Sequence, residues 1–193
     1  NLHDFNELKK PFFGINYGSI GFLMNSKKDG DLEKIIETSQ ETILQPLKME
    51  TTEKNKNFFT SIAYNEVSIM RQTHQAAKIN IKINDVERMK ELICDGVLVS
   101  TAAGSTAYNL SAHGSIIPLD SHLLALTPIS AFRPRRWRGA LLQEKTKIDL
   151  NVIDNYHRPA SVTADHNEFR DIQSVKIQSS DKNYCTILFD SAQ

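Results

Sequence analysis

The chain has 193 residues, of which 40% are hydrophobic and 24% charged, a composition typical of a globular protein. Basic and acidic residues number 23 each, so no overall charge favours a nucleic acid or a membrane as partner, and we expect neither. No apolar run reaches the roughly 18 residues of a membrane helix, and no signal-peptide pattern is present. Two widely separated cysteines, Cys94 and Cys185, predict buried thiols and a cytoplasmic location.

The first 45 residues predict the end of an α/β domain. The apolar run 12–15 is typical of a buried strand in a parallel sheet, and residues 18–21 predict a tight turn. Across residues 31–43 apolar side chains recur at helical spacing, which predicts an amphipathic helix ended by Pro46.

From residue 46 onward the pattern changes to the alternation of half-buried strands. Apolar and polar residues alternate across 79–83, 148–152 and 175–177, and Asn84-Asp85 predicts a hairpin turn. The predicted fold class is α/β plus β-rich. It comprises the remnant of a Rossmann-like N-terminal α/β domain (1–45), an antiparallel β-sandwich-like C-terminal domain (46–180) and a terminal strand returning towards the α/β domain (181–193).

The most informative segment is 95–114, Asp-Gly-Val-Leu-Val-Ser-Thr-Ala-Ala-Gly-Ser-Thr-Ala-Tyr-Asn-Leu-Ser-Ala-His-Gly. A buried strand leads into a turn of small residues, which opens a short hydroxyl-rich helix predicted over 105–112. Gly104 would allow the backbone to approach a ligand, Ser105 is a good N-cap, and Gly114 stands where a left-handed cap would end the helix. The first turn of a helix favours acceptor-rich ligands such as a nucleoside, whereas capping alone is the alternative interpretation.

A second polar group, Asn65 and Glu66, interrupts the strand-like run 58–70. An amide beside a carboxylate can hold a ribose diol or an adenine edge. Taken alone, the pair is more typical of the polar edge of a strand.

Together these segments resemble the NAD kinase family. The similarity also rests on Gly-Ser-Ile-Gly-Phe-Leu-Met at 18–24, Leu-Thr-Pro-Ile-Ser at 126–130 and Ala-Asp-His at 164–166, and it extends in the family's order over nearly the whole chain. Residues 132–139 are most similar to the proteobacterial branch. The resemblance implies transfer of a phosphoryl group from ATP or inorganic polyphosphate to the 2′-hydroxyl of the adenosine ribose of NAD, giving NADP, with Mg²⁺ or another divalent cation.

The resemblance also implies an NAD-binding domain at 46–180 and a set of substrate-binding residues. They are Phe22, Asn65, Glu66, Asp95, Thr101, Ala103, Thr106, Ala107, Tyr108, Asn109, Leu110, Ser111, Ser130 and His166. Among them, Phe22 would pack on the adenine unless it is a core residue. Asp95 would contact the dinucleotide across a subunit interface of a homodimer or homotetramer. His166 would lie near the nucleotide phosphates unless it is a plain surface histidine.

One departure from the family concerns catalysis. The family carries a Gly-Gly-Asp-Gly motif whose aspartate is taken as the base, and this chain has no such motif. Residues 28–31, Lys-Asp-Gly-Asp, follow the 18–24 segment, whereas the family motif precedes it, so we interpret them as a surface turn. We therefore expect Asn1 to lie downstream of the motif and assign no catalytic residue here.

The strongest local charge is an arginine cluster, Arg133, Arg135, Arg136 and Arg138. Guanidinium groups match phosphate oxygens, so the cluster could gather the phosphates of ATP or polyphosphate. A solvated or subunit-facing loop is an equally good interpretation, and a nucleic-acid patch is a weaker one. No His or Cys stands at the spacing of metal ligands, and no metal site is predicted.

Two other functions remain open from the residues alone. A diacylglycerol or sphingoid lipid kinase would share the overall fold, although no apolar lipid cleft is evident in the sequence. A non-catalytic dinucleotide-binding module is the literal interpretation of a chain that lacks the family's base.

Overall fold

The structure is a computed structural model that describes residues 2–5, 9–18, 21, 23–27 and 31–191. The chain forms two compact units, Asn1–Gln45 with Asp181–Gln193, and Pro46–Ser180. In chain order the described elements are α1 (Leu2–Phe5), β1 (Ile15–Asn16), β2 (Asn25–Ser26), α2 (Leu32–Glu37), β3 (Gln40–Leu44), β4 (Leu47–Glu53), β5 (Phe58–Ala63), β6 (Glu66–Arg71), β7 (Ala77–Ile83), β8 (Val86–Cys94), β9 (Gly96–Ser100), a 3-10 helix (Ala103–Thr106), α3 (Tyr108–Ser111), β10 (Leu123–Ile129), β11 (Ala140–Gln143), β12 (Ile148–Val152), β13 (Ala160–Ala164), β14 (Asn167–Phe169), β15 (Ile172–Ser179) and β16 (Cys185–Phe189).

The first unit is built from short parallel and antiparallel pairs. Strand β1 pairs in parallel with β2, and β16 pairs antiparallel with β3. The buried side chain of Asn25 joins them: its amide donates to the carbonyls of Gly14 (3.1 Å) and Leu188 (2.9 Å), and its oxygen accepts from the N–H of Asp190 (2.8 Å). The predicted strand at 12–15 is half-buried rather than buried, and Phe12 forms a single parallel bridge with Ile187.

The helix predicted over 31–43 is wrong in its second half. Helix α2 starts at Asp31, whose carboxylate accepts from the N–H of Glu33 at 3.2 Å, and it ends at Glu37. Residues 40–44 are strand β3 because they pair with β16, about 145 positions later. A helical period in sequence cannot reveal a partner at that distance. The turns predicted at 18–21 and 28–31 lie partly outside the described residues.

The second unit is a sandwich of two antiparallel six-stranded sheets. Sheet A has the order β5-β4-β15-β12-β7-β8, and sheet B has the order β11-β10-β9-β6-β13-β14. Inward-facing residues of both sheets form one core, in which Leu150, Ile79 and Val97 are fully buried. Buried and partly exposed residues alternate along β4, β7 and β12, as the period-two pattern predicted. The predicted fold class is confirmed.

The hairpin predicted at Asn84-Asp85 is also present. Both residues have left-handed φ angles, 49° and 64°, as the two central positions of a type I′ turn require. This turn joins β7 to β8 at the edge of sheet A.

Strand β9 is buried along its whole length, unlike its neighbours. The 3-10 helix and α3 pack against it, which covers the outward-facing side chain of Leu98 completely. The single helix predicted over 105–112 is thus two short pieces, separated at Ala107 by an extended backbone (φ −94°, ψ −124°).

Both cysteines are buried free thiols, as predicted. Burial, followed by the nearby charge of Asp95, raises the pKa of Cys94 to about 12, so this thiol remains protonated and unreactive at neutral pH. In the described part of the chain, no helix combines the length and hydropathy needed to cross a membrane.

The sandwich core predicts a clear difference between two leucines of the second unit. Leu150→Ala should lower the free energy of unfolding by about 2–5 kcal/mol, because Leu150 is 0% exposed and its loss leaves a cavity. Leu141→Ala, at a residue 50% exposed, is the matched control and should cost under about 1 kcal/mol. Urea unfolding of both variants measures the difference, and equal losses would contradict the assigned core.

Candidate functional site

Three predicted site segments meet at one edge of sheet B. Glu66, the first residue of β6, pairs with Ser100, the last residue of β9. On the other side of β6, Val67 pairs with Ala164, the last residue of β13. The residues that precede or follow these strand ends therefore lie together. We call residues 64–66, 100–104 and 165–166 the polar edge.

The carboxylate of Asp165 holds the main chain of the polar edge. It accepts hydrogen bonds from three consecutive N–H groups, those of Tyr64 (2.7 Å), Asn65 (3.0 Å) and Glu66 (3.2 Å). The N–H of Asp165 donates in return to the carbonyl of Glu66 at 3.1 Å. Asp165 has a left-handed φ of 50°, which aspartate tolerates better than most residues.

Thr101 holds the carbonyl groups of the same segment. Its buried hydroxyl donates to the carbonyl of Tyr64 at 2.6 Å and accepts from the N–H of Gly104 at 3.1 Å, while its N–H donates to the carbonyl of Asn65 at 2.9 Å. The main chain of residues 64–66 is therefore bonded from both sides. Thr101 is one of the residues predicted to bind substrate. In the described structure it bonds to the main chain of this segment.

The backbone of Gly104 closely approaches that of Asn65. A Cβ at position 104 would lie 2.2 Å from the carbonyl oxygen of Asn65 and 2.6 Å from its Cα. Both are backbone atoms that cannot give way cheaply, so only glycine fits there.

With the backbone fixed, the side chains of Asn65 and Glu66 are the groups available for chemistry. Both residues are half-buried. Within the described residues, Oε2 of Glu66 is buried and has no hydrogen-bond partner. Burial, followed by the negative charge of Asp165, raises the pKa of Glu66 to about 7.

The face of β6 that points away from the core continues from the polar edge along the strand. Val67 and Ile69 point into the core, so Glu66, Ser68 and Met70 share the opposite face. Ser68 pairs with Thr163 on β13, which adds a second hydroxyl-bearing side chain to that face. Sequence reasoning missed Ser68 and Thr163, although the period of two that predicted the strands also places them beside Glu66.

Tyr108 stands over this face. Its hydroxyl donates to Sδ of Met70 at 3.5 Å. Burial, then the charges of Glu66 and Asp95, raise the pKa of Tyr108. The tyrosine thus lies within electrostatic reach of both carboxylates.

Asp95 lies at the opposite end of β6 from the polar edge. Its carboxylate accepts from Nε of Arg71 at 2.6 Å, and the N–H of Arg71 donates to its carbonyl at 2.9 Å. Met70 pairs with Gly96, four strand positions from Glu66, a separation of about 13 Å. The structure therefore places Asp95 and Glu66 at two ends of one surface, and Arg71 is a partner that the sequence did not reveal.

Ser130 lies near Asp95 rather than near Glu66. It is exposed, follows β10 with a left-handed φ of 49°, and is preceded by Ile129, whose carbonyl accepts from the N–H of Asp95 at 3.0 Å. The arginine-cluster loop is attached at the same end, because the N–H of Ile93 donates to the carbonyl of Arg133 at 2.8 Å. All four arginines of the cluster are exposed.

Asn109 is fully buried, and its amide supports the segment that contains it. The amide nitrogen donates to the carbonyls of Ser105 (3.1 Å) and Ser115 (2.9 Å), and the oxygen accepts from the hydroxyl of Thr127 (2.7 Å). In this conformation the side chain faces the protein interior, so its contribution to a ligand site is indirect.

Two predicted helix caps are wrong. Ser105 lies inside the 3-10 helix, where its hydroxyl donates to the carbonyl of Ala102 (2.7 Å) and accepts from the N–H of Ile117 (3.0 Å), and α3 has no side-chain cap. The left-handed residue after α3 is His113 (φ 62°), not Gly114. Gly114 is required for a different reason: a Cβ there would lie 2.0 Å from Oδ1 of Asn109.

The remaining predicted residues differ in exposure. Ala103 is buried and Thr106 half-buried, whereas Ala107, Leu110 and Ser111 are exposed. His166 is exposed in the turn between β13 and β14, since β13 ends at Ala164 and not, as the strand-like run suggested, at 166. Phe22 lies outside the described residues.

The sequence model of the ATP-NAD kinase C-terminal domain matches residues 64–189. A protein of Xanthomonas oryzae pv. oryzae named NAD kinase is 50% identical over 191 residues, covering 98% of this chain and 74% of that protein. A Rickettsia rickettsii protein of the same name is 47% identical over 190 residues, with the same coverage of both chains.

Two solved structures share the fold. One is an NAD kinase from Archaeoglobus fulgidus in complex with ATP, with a TM-score of 0.79 and 23% identity, covering 98% of this chain and 74% of that chain. The other is yeast NADH kinase complexed with NADH, with a TM-score of 0.82 and 20% identity, covering 94% of this chain and 55% of that chain.

The raised pKa of Glu66 predicts a pH-dependent cost to stability. The pKa of Glu66 is about 7 in the folded protein, above its ordinary value of 4.5. Between these values the folded state binds more protons than the unfolded state, so stability falls as pH rises from 4.5 to 7. Glu66→Gln removes the charge. It should therefore stabilise the protein at pH 8 by about 1–2 kcal/mol, after allowance for the remaining solvent exposure, and by much less at pH 4.5.

Thermal unfolding at both pH values measures this effect. The control is Glu168→Gln, an exposed glutamate on β14, which should change stability by under about 0.5 kcal/mol at pH 8. A Glu66→Gln variant less stable than the parent at pH 8 would contradict the assigned environment.

Proposed function

The chain belongs to the NAD kinase family, and from this we propose that it binds NAD at the polar edge for phosphoryl transfer from ATP to the 2′-hydroxyl of the adenosine ribose, which yields NADP. One observation carries the placement of the site: the main chain of residues 64–66 is bonded by Asp165 and Thr101 from two sides. The amide of Asn65 and the carboxylate of Glu66 are thereby held beside each other. This is the donor and acceptor set that a ribose diol or an adenine edge requires.

The side chains of the polar edge act by positioning. In its ionised form Glu66 accepts hydrogen bonds from ribose hydroxyls, and Asn65 both donates and accepts. Because their backbone is already fixed, little conformational entropy is lost when the ligand binds, and the reacting hydroxyl is held in a defined direction.

The segment after β9 supplies the wall of the adenosine pocket. Buried Ala103 adds little bulk, Thr106 and Ala107 follow it on the surface, and the ring of Tyr108 lies over the outer face of β6. Exposed Leu110 and Ser111 extend this wall.

The far end of the surface suits a different part of the ligand. Asp95, paired with Arg71, precedes Gly96, whose partner Met70 lies about 13 Å along the strand from Glu66. We propose that Asp95 and Ser130 contact the distal part of an extended dinucleotide, or the dinucleotide of a neighbouring subunit in a homodimer or homotetramer. His166 would face the phosphates.

The phosphoryl donor is ATP in this proposal, with inorganic polyphosphate as an alternative donor and the cytoplasm as the location. A divalent cation would arrive on the donor phosphates, as Mg²⁺ commonly does. Within the described residues no group of three or more His, Cys, Asp or Glu side chains could hold a metal ion, so no protein ligand is assigned to it. The 193 residues contain no Gly-Gly-Asp-Gly, and no residue of this chain is assigned as the base.

The direct test incubates the protein with NAD, ATP and Mg²⁺ and follows NADP with an NADP-specific dehydrogenase. Accumulation of NADP is the expected result for the enzyme. NAD binding by calorimetry without NADP would restrict the chain to dinucleotide binding. Phosphorylation of a diacylglycerol or sphingoid lipid in place of NAD would overturn the substrate assignment.

Asn65→Ala should weaken NAD binding by about fivefold or more. The variant loses hydrogen bonds to NAD, and the polar groups of NAD that made them are left unpaired. Isothermal titration calorimetry gives the dissociation constant. Asn57→Ala, an exposed asparagine in the turn between β4 and β5, is the control and should bind as the parent does. Unchanged affinity in Asn65→Ala would contradict the placement of the adenosine at the polar edge.

A further inference from the structure

We propose that Asp165 is a positioning residue for the dinucleotide: it orients the main chain of Tyr64, Asn65 and Glu66 so that the side chains of Asn65 and Glu66 face the ligand. This inference rests on the proposed function. Asp165 makes no contact with the substrate in this proposal. It acts by holding the peptide groups of the polar edge in place.

The course of the chain explains why an acceptor is needed here. Strand β5 belongs to sheet A and β6 to sheet B, so residues 64 and 65 carry the chain from one sheet to the other. The N–H groups of these two residues belong to the hydrogen-bond ladder of neither sheet. Buried or half-buried N–H groups require partners. The Asp165 carboxylate accepts from both of these N–H groups and from that of Glu66, at 2.7–3.2 Å.

A carboxylate suits this position better than other side chains. Its two oxygens offer about four acceptor sites and no donor, and a charged acceptor makes shorter and stronger bonds to N–H groups. An asparagine of the same size has one acceptor oxygen, and its NH₂ group would face an N–H donor. Loss of the charge should therefore release at least one of the three peptide groups.

Asp165 also acts on the ionisation of Glu66. Burial, and after it the negative charge of Asp165, raises the pKa of Glu66. A carboxylate perturbed in this way is typical of sites for binding or chemistry. Tyr108, on α3, is the other titratable group whose interaction with Glu66 is evident.

The test compares Asp165→Asn with Asp171→Asn. Asp171 is the matched control, because it is an exposed aspartate with a left-handed φ of 52° in the neighbouring turn before β15. Asparagine tolerates this conformation at both positions. Calorimetric titration with NAD is carried out from pH 5.5 to 8.5, and circular dichroism establishes that each variant is folded.

We expect Asp165→Asn to weaken NAD binding about tenfold or more, as the loss of charge-assisted hydrogen bonds implies, while Asp171→Asn binds as the parent does. NAD affinity of the parent should fall as pH drops through about 7, where Glu66 gains a proton. In Asp165→Asn this midpoint should move to lower pH, because the neighbouring negative charge is gone. A merely structural aspartate would lower stability and leave the NAD affinity of the folded variant at pH 8.5 unchanged.

The failures of the two proposals are distinguishable. A parent protein that does not bind NAD overturns the proposed function and, with it, this inference. A parent that binds NAD while folded Asp165→Asn keeps the parental affinity at pH 8.5 overturns the inference alone. If Asp165→Asn does not fold, Asp165→Glu replaces it: the charge remains but the carboxylate is displaced, so affinity should fall with the midpoint near that of the parent. Parental affinity in Asp165→Glu would overturn the inference.

Discussion

The site depends on one requirement, that the peptide groups of residues 64–66 be hydrogen-bonded where the chain passes from sheet A to sheet B. The ladder of β5 ends at Ala63 and that of β6 begins at Glu66. Asp165 and Thr101, which follow the neighbouring strands β13 and β9, supply the missing acceptors and donor. The same bonds that satisfy the crossing also hold Asn65 and Glu66 in place, so the fold and the site share one set of interactions.

The hydroxyl-rich segment after β9 has a mixed role that its composition does not show. The polar groups of Ser105 and Asn109 are directed inward and bond to Ile117, Ser115 and Thr127. They allow a polar segment to cover β9 without leaving buried groups unpaired. The outward positions, Tyr108 among them, remain available to a ligand. A run of hydroxyl and amide residues therefore predicted a polar segment after β9, but its composition does not show which members are buried and which are exposed.

Sequence patterns predicted what depends on near neighbours and failed where a distant partner decides. The alternation along β7 and β12 and the Asn84-Asp85 turn are local and were predicted correctly. The helix predicted over 31–43 was wrong in its second half because pairing of residues 40–44 with β16 overrides the local preference. The Ser105 and Gly114 caps failed because Ile117 and Asn109 determine those positions. The role of Asp165 could not be derived from sequence, since its three N–H partners lie about 100 residues earlier.

The unpaired oxygen of Glu66 connects stability with binding. In the described structure, burial of Oε2 without a partner and the charge of Asp165 both oppose ionisation. A ribose hydroxyl donating to that oxygen would offset part of this cost and favour the ionised form. Only a ligand that places a hydrogen-bond donor there would offset this cost. The site would therefore favour a ribose over an apolar group of similar size. On the proposed function, the buried and unpaired oxygen of Glu66 is thus the feature that would make the polar edge selective.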